Sequence, residues 1–177
     1  APGIAALKQN IQDLGQITVV APDVEQSGVG HSITFSQPLR IRETYLDNEF
    51  IGYSVNGSPA DCVKLAICAA MKTRPDVVIS GINMGSNVGI HMLYSGTVAA
   101  AVEAAIMGFP SIAISFEISG QYADIHSAAK VARGVIERII AHKPPAGSLL
   151  NVNIPSIPPE QIKGIKITRQ FTHDFKE

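Results

Sequence analysis

Apolar residues recur at helical spacing from Ile4 through Leu7 and Ile11 to Leu14, and Gly15 is well placed to stop the helix they predict. Ile17-Thr18-Val19-Val20-Ala21 then reads as a buried strand ended by Pro22-Asp23. A polar, glycine-containing loop follows from Val24 to Ser32. Pro38–Glu43 and Ile51–Val55 predict two further strands joined by the polar Tyr45–Glu49 connection, an antiparallel excursion from the main sheet. Ser58-Pro59-Ala60-Asp61 is a helix start: Ser caps, Pro suits the first turn, and Asp sits at the positive end of the dipole. That helix is expected to reach about Lys72.

Asp76–Ser80 has the short apolar run of a central parallel strand. A long loop, Gly81 to Tyr94, leads to a helix over Gly96–Met107, stopped by Gly108. Ser111–Phe116 predicts a buried strand, Tyr122–Ala141 an amphipathic helix and Leu149–Ile154 a last core strand. Gly164–Arg169 is a candidate edge strand. Alternating strands and helices predict an α/β fold, a three-layer Rossmann-like sandwich with a mostly parallel sheet and a short antiparallel excursion. The chain reads as one domain over 1–177, with no internal repeat.

Composition narrows the function. With 14 Lys plus Arg against 15 Asp plus Glu, the net charge of −1 offers no basic excess for coating a nucleic-acid polymer. Charged residues are 16%, below the roughly 25% of ordinary domains, which points to surface buried in an oligomer or to an incomplete chain. No run is apolar enough to span a membrane. The two cysteines, Cys62 and Cys68, have neither metal-clip nor disulfide-framework spacing, and a cytoplasmic, reducing setting is expected.

In an open parallel sheet, ligands collect beyond the carboxyl ends of the strands. Two glycine-rich loops are predicted there: Ser27-Gly28-Val29-Gly30-His31-Ser32 and Gly81-Ile82-Asn83-Met84-Gly85-Ser86-Asn87-Val88-Gly89. Each is either a plain turn or a place where backbone approaches a ligand. Ser95-Gly96-Thr97 opens a helix and is either an ordinary cap or an anion cradle of N–H groups and hydroxyls. Ser27 and Asn83 carry hard, neutral oxygens suited to a divalent ion, although magnesium or manganese normally also takes a carboxylate. His31 and Asn87 are candidate substrate contacts; His31 is equally a plain loop histidine. There is no phosphate-binding GxxxxGK[ST] loop, no complete dinucleotide fingerprint, no Gly-x-Ser-x-Gly elbow and no HExxH.

Several blocks in fixed order resemble the SurE family of stationary-phase survival proteins. They are Val19–Asp23 with Ser27-Gly28 and Gly30-His31-Ser32, Gly57–Val63, Val78–Asn83, Gly85–Gly89, Tyr94–Val98, Pro110–Ala113, Leu150–Pro155, and Lys163-Gly164 with Thr168-Arg169. The resemblance implies metal-dependent hydrolysis of nucleoside 5′-monophosphates, with 3′-monophosphates and polyphosphate as further substrates. It implies one divalent ion per subunit, magnesium or manganese, held partly by Ser27 and Asn83, with phosphate at Ser95, Gly96 and Thr97. A homodimer or homotetramer is also implied. The family's Asn-Asp-Asp-Gly motif, which supplies anionic ligands, would precede Ala1, and its exchanging arm would follow Glu177, so a piece incomplete at both ends is expected. The alternative is a non-catalytic nucleotide- or phosphate-binding module, the behaviour expected of a piece without those carboxylates. A nicotinamide-linked oxidoreductase lacks its fingerprint.

Overall fold

Helix α1 (Pro2–Ile11) turns Gly3, Ala6, Leu7 and Ile11 inward in the computed structural model, which describes residues 2–118 and 123–170. The helix ends three residues before Leu14. Strand β1 (Val20–Pro22) is shorter than its apolar run suggests. It pairs in parallel with β3 (Glu49–Val55), which pairs antiparallel with β2 (Ile41–Leu46). The expected Tyr45–Glu49 connection shrinks to Asp47-Asn48, whose φ values of 49° and 65° suit a tight hairpin turn. An edge-to-face contact between Phe50 and Tyr45, 5.7 Å between centroids, joins the strands past their polar residues, and a second with Tyr53, at 5.2 Å, lies within β3. Pro38, which has no N–H to donate, stays outside the ladder.

Helix α2 (Pro59–Leu65) starts where predicted, with Ser58 and Asp61 forming a reciprocal capping box; Ala66–Ala70 continues it as a π-helical turn. The second sheet comprises β4 (Val78–Met84), β5 (Ser111–Phe116) and β6 (Leu149–Ile154), all parallel, in that order. Between β4 and β5 lie the short α3 (His91–Tyr94) and the alanine-rich α4 (Gly96–Ile106). Helix α5 (Ile125–Ala141) precedes β6, and the Tyr122 start expected for it lies outside the described residues. Residues 164–169 join no ladder among the described residues, so the expected edge strand is corrected to unpaired chain.

The expected mostly parallel arrangement with a short antiparallel excursion is present, the excursion being the β2–β3 hairpin. Among the described residues the strands divide into two three-stranded sheets, of which the second is wholly parallel. The three layers hold around that second sheet. Ile112, Ile114 and Phe116 of β5 pack with Leu7 and Ile11 of α1 and with Ala129, Ala132 and Ile136 of α5. On the opposite face Ala113 packs with Val98 and Ala101 of α4, and α2 lies against α4 through Val63, Ala100 and Ala104. Small side chains on both partners let this helix approach the sheet closely.

The predicted loop from Gly81 begins inside a strand. Between the pairs Ser80↔Ala113 and Asn83↔Ser115, β4 inserts one extra residue relative to β5. The extra residue reverses the alternation. Ile82 enters the core against α1, and Asn83 moves to the register position of Ser115, on the α4 side. Gly81 has φ 135°, and a side chain there would collide with the Ile114 carbonyl. Gly3 is equally constrained, because a methyl group there would strike the Ile82 carbonyl oxygen. Gly3→Ala is therefore expected to lower the urea midpoint by the equivalent of about 1–3 kcal/mol. Gly15→Ala, with open space around it, should stay within about 0.5 kcal/mol of the parent in the same titration.

Candidate functional site

The glycine loop after β1 folds down onto the start of α4. The Gly30 N–H donates to the Tyr94 carbonyl at 2.9 Å. Gly96 is hemmed in by Val29 and the Gln26 carbonyl from this loop and by Pro59 of α2; an added Cβ would lie 2.9 Å from the proline ring. The loop bearing Ser27 and the Ser95–Thr97 turn are thus packed against each other. Ser27 itself is exposed, and its hydroxyl donates to Glu25 Oε1 at 3.3 Å.

Ser95 is the N-cap of α4, its hydroxyl accepting from the Val98 N–H at 3.2 Å. The capping reading of Ser95 therefore holds. Gly96 and Thr97 occupy the first two helical positions, where N–H groups have no intrahelical acceptor, and none is found for them among the described residues. Two free donors and the positive end of the dipole of an 11-residue helix coincide there.

The second loop is held from the other side. Asn87 is buried. Its backbone N–H donates to Asn153 Oδ1 at 2.7 Å, its carbonyl accepts from Asn151 and Asn153 at 2.8 and 3.2 Å, and its side-chain amide donates to Ser115 Oγ at 2.7 Å. The reading of Asn87 as a substrate contact left these partners unseen: every polar group of it that is bonded here is bonded to the sheet. Asn83 donates through Nδ2 to the Gly85 carbonyl at 2.8 Å, which fixes the amide and leaves Oδ1 as its unspent oxygen. Oδ1 of Asn151 is buried without a partner among the described residues.

A cavity of about 290 Å³ opens beside the first loop, lined by Asp23, Gln26, Ser32, Thr34, Asn56 and Ser58 among others. A second, of about 240 Å³, lies by Ser86, Val88, Glu117, Asn153, Ile154 and Pro155. Ser27 and Asn83 line neither of them. Their hydroxyl and carbonyl oxygens have the hard-donor chemistry of a magnesium or manganese shell but bring no charge. No cluster of three or more His, Cys, Asp or Glu suited to a metal occurs among the described residues. The donors fit the neutral part of such a shell.

Two buried carboxylates brace this region, and both were missed as site-builders. Asp61 accepts from the Thr34 hydroxyl at 2.7 Å and from the backbone N–H groups of Thr34 and Ser58 at 3.1 and 2.9 Å. Burial pushes its carboxyl up, but these hydrogen bonds outweigh burial and hold it below the usual carboxylate range. Glu103 of α4 pairs with His31 at 2.8 Å and with Lys64 at 3.0 Å. Burial is again outweighed, here by His31 and Lys64, and its carboxyl is held low. The Cys62 thiol is pushed up to about 12, first by burial and then by Asp61 and Asp23, so it is no nucleophile at neutral pH.

These features define an α/β protein whose polar loops gather at the carboxyl ends of parallel strands around a helix N-terminus. The chain belongs to the SurE family: the family model described as Survival protein SurE matches residues 1–177. It is 44% identical over 170 residues to the 5′-nucleotidase SurE of Syntrophobacter fumaroxidans, a match covering 96% of this chain and 68% of that protein. It is 49% identical over 176 residues to the 5′-nucleotidase SurE of Carboxydothermus hydrogenoformans, covering 96% and 66%. The crystal structure of the SurE protein from Aquifex aeolicus superimposes with a TM-score of 0.88 at 43% identity, covering 99% of this chain and 70% of that one. The chain thus spans about two thirds of the length of these relatives.

Asp61→Asn is expected to cost about 1–3 kcal/mol at pH 7. Because the folded carboxyl is held below its unfolded value of about 4, its contribution is complete above that pH. It is lost as pH falls through the folded value. Urea titrations from pH 7 down to pH 3 should therefore show the two proteins converging at the acid end.

Proposed function

We propose that this chain forms part of a divalent-metal-dependent phosphomonoesterase that hydrolyses nucleoside 5′-monophosphates to nucleoside and phosphate. One observation carries the reading: the Gly30–Tyr94 hydrogen bond fastens the Ser27 loop beside the open N-terminus of α4. The named activity of the relatives supports the substrate class. Gly96 and Thr97 would receive the phosphate oxygens on their free N–H groups, and the helix dipole would offset part of the charge. Ser95 acts by keeping that turn wound. The Ser27 hydroxyl and the Asn83 carbonyl would hold one magnesium or manganese ion per subunit. When bound, the ion supplies charge neutralisation at phosphorus and a water of lowered pKa.

The same cradle would accept 3′-monophosphates and the terminal groups of polyphosphate, whose phosphoryl oxygens present the same acceptors to its N–H groups. Exposed Leu46, Leu93 and Ile106, together with the low charged content, support a homodimer or homotetramer. Two free cysteines support a reducing, cytoplasmic setting. No helix among the described residues is long and apolar enough to cross a membrane.

Incubation with AMP or GMP should release inorganic phosphate in the presence of manganese and cease on chelation. Asn83→Ala should lose about tenfold or more in turnover at limiting manganese. Nucleotide binding without phosphate release would instead establish the non-catalytic module, and undiminished turnover by Asn83→Ala would remove that residue from the metal shell.

A further inference from the structure

Glu103 is the single acidic residue in α4, 5% exposed, on the turn of helix that also carries Ala100 and Ala104 into the core against Val63 and Phe109. A carboxylate in such surroundings is costly unless both oxygens are matched. One oxygen takes the Lys64 ammonium from α2, at 3.0 Å. The other takes His31 Nε2, at 2.8 Å, from the glycine loop. Lys64 alone would balance the charge. The second contact does something different, because it ties a loop with few other anchors to the helix whose N-terminus forms the cradle.

The loop's attachments divide in two. Its downstream end is fixed on α2, through Ser32 and Thr34 to Ser58 and Asp61. Its upstream end is fixed by the Asp23 N–H on the Val55 carbonyl. Between these ends, among the described residues, the hydrogen bonds to the rest of the fold are Gly30–Tyr94 and His31–Glu103, while Ser27 bonds to nearby Glu25. With glycines at 28 and 30, both at positive φ, this stretch has little stiffness of its own.

We infer that His31 and Glu103 are positioning residues, a strut that sets where Ser27 stands relative to the Gly96–Thr97 cradle and so sets metal affinity. The inference rests on the nucleotidase reading above. It assigns His31 a place behind the site, with Nε2 spent on Glu103, in contrast to a contact with substrate. A side chain of matching reach that still donates to the carboxylate should serve in its place, so His31→Gln is the conservative variant.

The test compares His31→Ala, His31→Gln and Lys64→Met. Exchange of the Gly30 amide is followed in the metal-free protein, and manganese affinity is measured by calorimetry. His31→Ala should speed Gly30 exchange about tenfold and weaken manganese binding about tenfold, with turnover at saturating manganese restored to within about twofold. His31→Gln should recover most of both properties, and Lys64→Met should leave Gly30 exchange unchanged. Unchanged Gly30 exchange in His31→Ala overturns the strut. Faster exchange with unaltered manganese affinity overturns its positioning role while sparing the nucleotidase reading. A turnover defect in His31→Ala that saturating manganese does not restore and His31→Gln does not rescue makes His31 a direct contact, and also overturns it. An unsubstituted protein that binds no manganese overturns the nucleotidase reading and this inference with it.

Discussion

Strand β5 is buried along its whole length between β4 and β6, and the two-residue alternation of its side chains organises what surrounds it. Its large residues, Ile112, Ile114 and Phe116, make the floor on which α1 and α5 lie. Its small ones, Ser111, Ala113 and Ser115, leave room on the other face for an alanine-rich helix to come close. The same smallness gives the site its footing. Ser115 is both a core position, fully buried, and the partner that takes the Asn87 amide. Packing on one side and polar organisation on the other are consequences of one strand's pattern.

Locally encoded features were legible in the sequence. Ser58-Pro59-Ala60-Asp61 is a capping box because its two partners are three residues apart, and β5 carries the apolar run of a buried parallel strand. The strand from Gly81 to Met84 was hidden, because glycine and asparagine read as loop residues. What decides the matter is the Ile114 backbone, which leaves no space for a Cβ at position 81. The hairpin was legible but its register was not: aromatic packing across the strands outweighed the polarity of Thr44 and Tyr45.

The candidate site divides along the same line. Ser95 as a cap and the free donors of Gly96 and Thr97 follow from the helix start, which a sequence displays. Glu103 does not. In the chain it is one acid in a helix, and its partners lie 39 and 72 residues away. Asn87 depends on asparagines 64 and 66 residues downstream, so its fixation is a property of the fold. The candidate ligand residues are foreshadowed by their loops, whereas the residues that hold those loops still are set by topology.

The contrast between the two cysteines has a practical side. Cys62 is enclosed and its thiol stays protonated, while Cys68 stands on the outer surface of the π-helical turn. A maleimide-linked dye or spin label applied to the unaltered protein at neutral pH would find one address. That address lies at the far end of α2 from Ser58, so a probe there would report on tumbling and association without crowding the loops.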